Sequence, residues 1–149
     1  MSFLKNDKLL LTTCLGIIST VPAELLTQLF KYFGFGNYSI YQLASLLITL
    51  NRPTILMGFI VDALVSSVIA FLFCYALEKL GSNYLLIKVT LASLLAWFVC
   101  ELIFTIAFEG KYISIRPLSD YYSHILGACL FGIVLGLLFK KYLFKGKSA

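Results

Sequence analysis

Four long apolar runs constrain this chain more than any other feature. They cover about Leu9 to Phe30, Thr54 to Leu77, Tyr84 to Phe108 and Tyr121 to Lys141. Each is close to the ~20 residues a helix needs to cross about 30 Å of hydrocarbon. Of the 149 residues, 60% are hydrophobic and 13% are charged, so polar groups cannot cover the surface. The expected solvent is a bilayer, where every backbone N–H and C=O must be satisfied inside the structure by helices or a closed barrel. The runs do not alternate in polarity as barrel strands do, which leaves helices. The expected fold is an all-α membrane protein, a single domain over residues 1–149. It has four transmembrane helices and a short amphipathic interfacial helix between the first two.

That short helix is read from "NYSIYQLASLLITLNRP", with bounds of about 38–51. Tyr38, Gln42, Ser45, Thr49 and Arg52 recur at helical spacing, and Ile40, Leu43, Leu46, Leu47 and Leu50 fill the other side. The pattern predicts a helix lying flat in the interface, with the polar stripe toward the headgroups. The preceding "KYFGFGN" reads as the turn into it. Tyr112, Tyr121 and Tyr122, beyond the third span, fit an aromatic belt.

The net charge of +5 serves orientation rather than nucleic-acid binding, because the basic residues sit at the ends of apolar runs. One set of flanks holds Lys5, Lys8, Lys79, Lys140, Lys141, Lys145 and Lys147; the other holds Lys31, Arg52, Lys111 and Arg116. Lys88 lies a turn inside the third span and can snorkel to the richer side. The excess predicts a multi-pass protein of the cytoplasmic (plasma) membrane with both termini in the cytoplasm. The basic tail Lys140 to Lys147 is placed to touch anionic lipid headgroups. Cys14, Cys74, Cys100 and Cys129 each lie in an apolar run and form no CxxC pair, so they read as small buried residues. The first run lacks a convincing cleavage site and is expected to be retained as a span.

Each of the four runs places one ionisable residue in its outer half. At 1.5 Å per residue, Glu24, Asp62, Glu101 and His124 all fall about 5–12 Å below the outer ends of their spans. A lone charge at such a depth costs about 2.5–3.5 kcal/mol on insertion scales, so grouping on the bundle interior is favoured. Three grouped carboxylates repel unless some are protonated or a cation sits among them. His124 would then be a further ligand or proton partner. The set defines a candidate polar or cation site, of a type suited to Zn, Mn or Fe. No HExxH, ExxH or EF-hand spacing accompanies it, and no cofactor is predicted beyond a bound cation. The plainer alternative separates them: Glu24 at a helix kinked by Pro22, Asp62 bonded to Ser66, His124 at the headgroups.

In the fourth span, Ala128, Gly132 and Gly136 give small-xxx-small twice on one face, a spacing that lets backbones approach closely. Ala63 with Ser67 and Ala92 with Ala96 give weaker versions. Trp97 is expected to pack inside, its indole N–H near a carbonyl or carboxylate. No nucleophile constellation or phosphate loop is present, so an enzyme is not expected.

The third span, "NYLLIKVTLASLLAWFVCELIF", and the fourth, "YYSHILGACLFGIVLGLLFKKYL", resemble a group of small four-span membrane proteins from Firmicutes. Lys88 and Trp97 match residues often found there, and Val89 stands where that group often has glycine. The resemblance implies this architecture and no activity. The functional expectation is a homo-oligomeric membrane assembly, scaffold or pore-like, self-associating through the small face of the fourth span. The alternative is a cation- or proton-linked transporter, or an accessory subunit of one, using the intramembrane carboxylates.

Overall fold

The computed structural model describes residues 7–144. They form five helices: α1 (Lys8–Tyr32), α2 (Ile40–Thr49), α3 (Ile55–Leu80), α4 (Leu85–Phe108) and α5 (Leu118–Tyr142). Four are long and apolar enough to cross a membrane, and α2 is the short helix between the first two. The chain is thus an all-helical membrane protein.

Local chemistry sets the ends. Asp7 caps α1 by accepting from the Leu10 N–H at 3.1 Å. Ser39 and Gln42 form a reciprocal capping box at the start of α2, which satisfies two otherwise orphaned donors. Gly81 ends α3 in a left-handed conformation (φ 76°) that disfavours a side chain. Lys88 reaches back from α4 and donates to the Leu80 and Gly81 carbonyls, both at 3.0 Å. It thereby satisfies α3 carbonyls that have no helical partner. Lys140 and Lys141 lie in the last turn of α5, where they complement the helix dipole. Lys145 and Lys147 of the basic tail, and Lys5, lie outside the described residues.

Pro22 sits inside α1, which continues through it. Ser19, Thr20 and Gln28 do not bond the carbonyl that proline frees. Ser19 donates to the Leu15 carbonyl, Thr20 to that of Ile17, and Gln28 to Glu24 and Ser39 side chains.

The packing order is an open arc. Helix α1 packs on both α3 and α5, and α5 packs on α4, giving the sequence α3–α1–α5–α4 across the arc. Although α3 and α4 are consecutive in the chain, they barely touch. Small residues set the close approaches. A Cβ on Gly16 would meet the Ser66 carbonyl and the Ala70 methyl at 2.8 Å. One on Gly132 would run into Thr90 and Ser93 of α4, and one on Gly136 would meet Leu86 at 3.0 Å. Ser93 also donates across this contact to the Ala128 carbonyl at 2.8 Å. The small stripe of α5 therefore packs within the chain, against α4.

Two apolar clusters close the two ends of the arc. At the end nearer the termini, Leu15, Ala70, Cys74, Leu77, Leu85, Val89, Leu135 and Phe139 pack together. At the other end, Leu43 and Leu46 of α2 pack on Phe104, with Tyr38, Phe108 and Ile113 around them. Helix α2 therefore bridges the ends of α3 and α4 as a roof. This differs from the flat surface helix expected from its polar stripe. Ser45 is buried and accepts from the Thr54 N–H at 3.0 Å, while Gln42 accepts from Lys31 at 2.6 Å. The stripe is spent on neighbouring polar groups, and α2 sits against α3 so tightly that Gly58 leaves no room for a Cβ beneath the Tyr41 carbonyl.

Candidate functional site

The ionisable residues of the apolar runs resolve into two arrangements. Glu24 faces the N-terminus of α2. Its Oε1 accepts from Gln28 Nε2 and Ser39 Oγ, each at 2.7 Å, and its Oε2 accepts from the Tyr41 N–H at 2.8 Å. Thr27 adds an acceptor for the Ile40 N–H at 3.3 Å. The carboxylate thus meets the positive end of a helix dipole together with unpaired backbone donors. Thr20 and the Tyr41 hydroxyl, 2.7 Å apart, extend the seam. Burial pushes the Tyr41 phenol up from its ordinary value.

The second arrangement gathers Glu101, Arg116 and His124. Arg116 lies in the loop between α4 and α5, and the sequence pattern reads it as a flanking cation. Instead it is 4% exposed and forms ion pairs with both Glu101 and Glu109. Its guanidinium sits over the rings of Phe104 and Tyr121, 5.0 and 4.7 Å from their centroids. Burial by itself would lower its pKa, but the two carboxylates outweigh that and raise it. Tyr121 is half-buried and donates to Glu109 at 2.8 Å. Tyr112 and Tyr122 are exposed.

His124 is buried at 1% exposure, not at a headgroup surface. Its Nε2 is 2.9 Å from the Tyr38 carbonyl, which can only accept, so Nε2 carries the proton. Nδ1 has no hydrogen-bond partner and faces Glu101 Oε2 at 3.8 Å, beyond direct bonding distance.

Between α3 and α4, below the α2 roof, is a cavity of about 270 Å³. Its walls are mostly apolar, among them Val61, Val65, Ile69, Leu47, Ile103 and Phe131. Asp62, Trp97, Glu101 and His124 also line it. Asp62 receives no hydrogen bond from the described residues; Ser66 donates to the Ala63 carbonyl instead. The Trp97 indole N–H is unpartnered, contrary to its expected carbonyl or carboxylate bond. Glu24 is not among the lining residues.

The structure therefore brings Asp62, Glu101 and His124 to one cavity and assigns Glu24 to α2. Among the described residues, no group of three or more His, Cys, Asp or Glu side chains is arranged to hold a metal ion. Sequence reasoning missed Arg116, Glu109, Ser39, Gln28 and Asp120. The last is fully buried and accepts from the Asn37 N–H at 2.5 Å. The capping pattern "SIYQ" and an arginine in an apolar loop were the available signals. Comparison with protein-family models, curated proteins and solved structures found no match to this chain.

Proposed function

We propose that this membrane protein binds an amphiphilic molecule taken sideways from the bilayer into the cleft between α3 and α4. The carrying observation is the gap itself: two neighbouring helices stand apart around an apolar cavity that has unpaired polar groups in its wall. Sites for small molecules share this form, with apolar walls and a few placed polar groups. In a bilayer the open side of the arc faces acyl chains, so an apolar tail can enter without crossing water. With both termini cytoplasmic, the α2 roof lies on the outer side and the cleft serves the outer leaflet of the plasma membrane. Lys140 and Lys141 then contact anionic headgroups on the inner side. Copies of the chain that self-associate do so through other faces, because the small face of α5 is filled within the chain.

Trp97 is the only tryptophan of the sequence and lines the cavity, which provides a native reporter. The test reconstitutes the protein in phosphatidylcholine vesicles whose acyl chains carry bromine, a short-range quencher of indole emission. Strong quenching is expected, and it should fall in Val65→Phe and Ala96→Phe, which fill the cleft. Quenching that is absent, or equal in the filled variants, would rule the cleft reading out.

A further inference from the structure

We propose that His124 binds one proton and, as an imidazolium, ties α4 and the segment between α1 and α2 to α5. The inference stands apart from the cleft reading, since it needs no molecule in the cavity. His124 is the only histidine of the sequence and is 1% exposed. Both of its ring nitrogens face acceptors. Nε2 is 2.9 Å from the Tyr38 carbonyl oxygen, and Nδ1 is 3.8 Å from Glu101 Oε2. A neutral imidazole has one N–H and serves one of these acceptors; an imidazolium has two and serves both. Nδ1 has no hydrogen-bond partner among the described residues, so no other donor supplies the proton that this gap lacks. With the proton in place, closure by about 1 Å gives a charge-assisted hydrogen bond of ordinary length.

Charge decides which side of the gap holds the proton. Glu101 Oε1 accepts from Arg116, and that ion pair favours the carboxylate over the carboxylic acid. The proton therefore belongs to the ring, and the two groups titrate as a pair. Glu101 and Glu109 share Arg116, so this buried group carries one negative charge in excess. An imidazolium cancels it. The other charged groups at this depth do not compete for that role. Glu24 on α1 and Asp62 on α3 are acidic, and so is Asp120, one turn earlier on α5. Lys31, at the same end of α1, donates to Gln42. Cys100, Tyr41 and Tyr121 are titratable neighbours that add no positive charge. Loss of the proton leaves two lone pairs face to face across the gap. The link from α5 to α4 is then lost, while the bond to the Tyr38 carbonyl remains.

A single histidine makes the test direct. The full chain, prepared without a polyhistidine tag, is labelled with heavy nitrogen in histidine alone and placed in phosphatidylcholine nanodiscs. Nuclear magnetic resonance then reads the two ring nitrogens of His124 and nothing else. At neutral pH both should give signals of the protonated type. Raising the pH should turn Nδ1 to the unprotonated type and leave Nε2 protonated, because the Tyr38 carbonyl keeps that proton. In Glu101→Gln the new amide can donate to Nδ1, so the ring should be neutral at neutral pH. A wild-type ring with one bare nitrogen at neutral pH would overturn the proposal, and this spectrum decides even where the variant fails to fold. An imidazolium that persists in Glu101→Gln would overturn it too. Thermal midpoints of Glu101→Gln, His124→Gln and the double variant give the coupling between the two side chains. It should be stabilising at neutral pH and lost at the pH that bares Nδ1. A coupling equal at both pH values would sink the tie between α5 and α4.

Discussion

A carboxylate deep in an apolar helix is tolerable where donors surround it, and Glu24 accepts from Gln28, Ser39 and the Tyr41 backbone. Glu24→Gln keeps the shape but turns one acceptor oxygen into an NH₂ that faces donors. It should lower stability by about 1–3 kcal/mol, the usual penalty for buried groups left unsatisfied. Denaturant unfolding in detergent checks this, and an unchanged midpoint would refute the capping role. Arg116 carries a larger stake because two buried carboxylates depend on it. Arg116→Met should destabilise by about 3–5 kcal/mol, since it strands charges in a medium that cannot solvate them. Arg116→Lys should rescue little, because one ammonium cannot reproduce the guanidinium fork or its stacking on Tyr121. Pairing Arg116→Met with Glu101→Gln should recover part of the loss, and a double-mutant cycle measures the coupling.

Helix α2 is ten residues long and would be marginal alone in water. It persists because its N-terminus is held by Glu24, its apolar side by Phe104, and its backbone by the bare surface of α3 at Gly58. Gly58→Ala should therefore act on α2 before it acts on α3. A methyl there meets the Tyr41 backbone, which cannot rotate aside, so α2 must lift. The expected cost is about 1–3 kcal/mol, as for other overpacked contacts. Hydrogen exchange should show α2 amides losing protection in this variant while the α5 amides keep theirs. Uniform protection across the chain would argue against the roof contact. Gly132 tests the opposite side of the arc. Gly132→Leu must push α4 from α5, and loss of stability without change in copy number is the expected result, because the contact is within the chain.

The open arc makes the molecule's interior uneven. Gly127, Ala128 and Gly132 pack closely along α5, whereas the α3–α4 side keeps a cavity. The two regions should answer a large side chain with opposite signs. Val65→Phe enters empty space and should leave the thermal midpoint unchanged or raise it, because filling a cavity adds contacts without strain. Ala128→Phe enters a packed seam and should lower stability by about 1–3 kcal/mol or more. Thermal unfolding of the two variants side by side makes the comparison, and equal losses would show that the gap is not spare volume.

Solvent, helix number and the depth of each charge follow from the chain read alone. A bilayer tolerates only internally bonded backbone, and four apolar runs of span length leave one way to satisfy it. The same reasoning found Glu24, Asp62, Glu101 and His124, because charges in hydrocarbon stand out whatever surrounds them. Their partners did not stand out. Arg116 in a loop looks like any interfacial cation until its side chain is seen between Glu101 and Glu109. Ser39 and Gln28 are ordinary polar residues until α2 folds back on α1. The small residues of α5 signalled close packing but not which helix would fill them. Depth is one coordinate, and it comes from counting residues along a span. The azimuth of each helix, and so which charges meet and where a gap is left, comes only from how side-chain volumes fit across the arc.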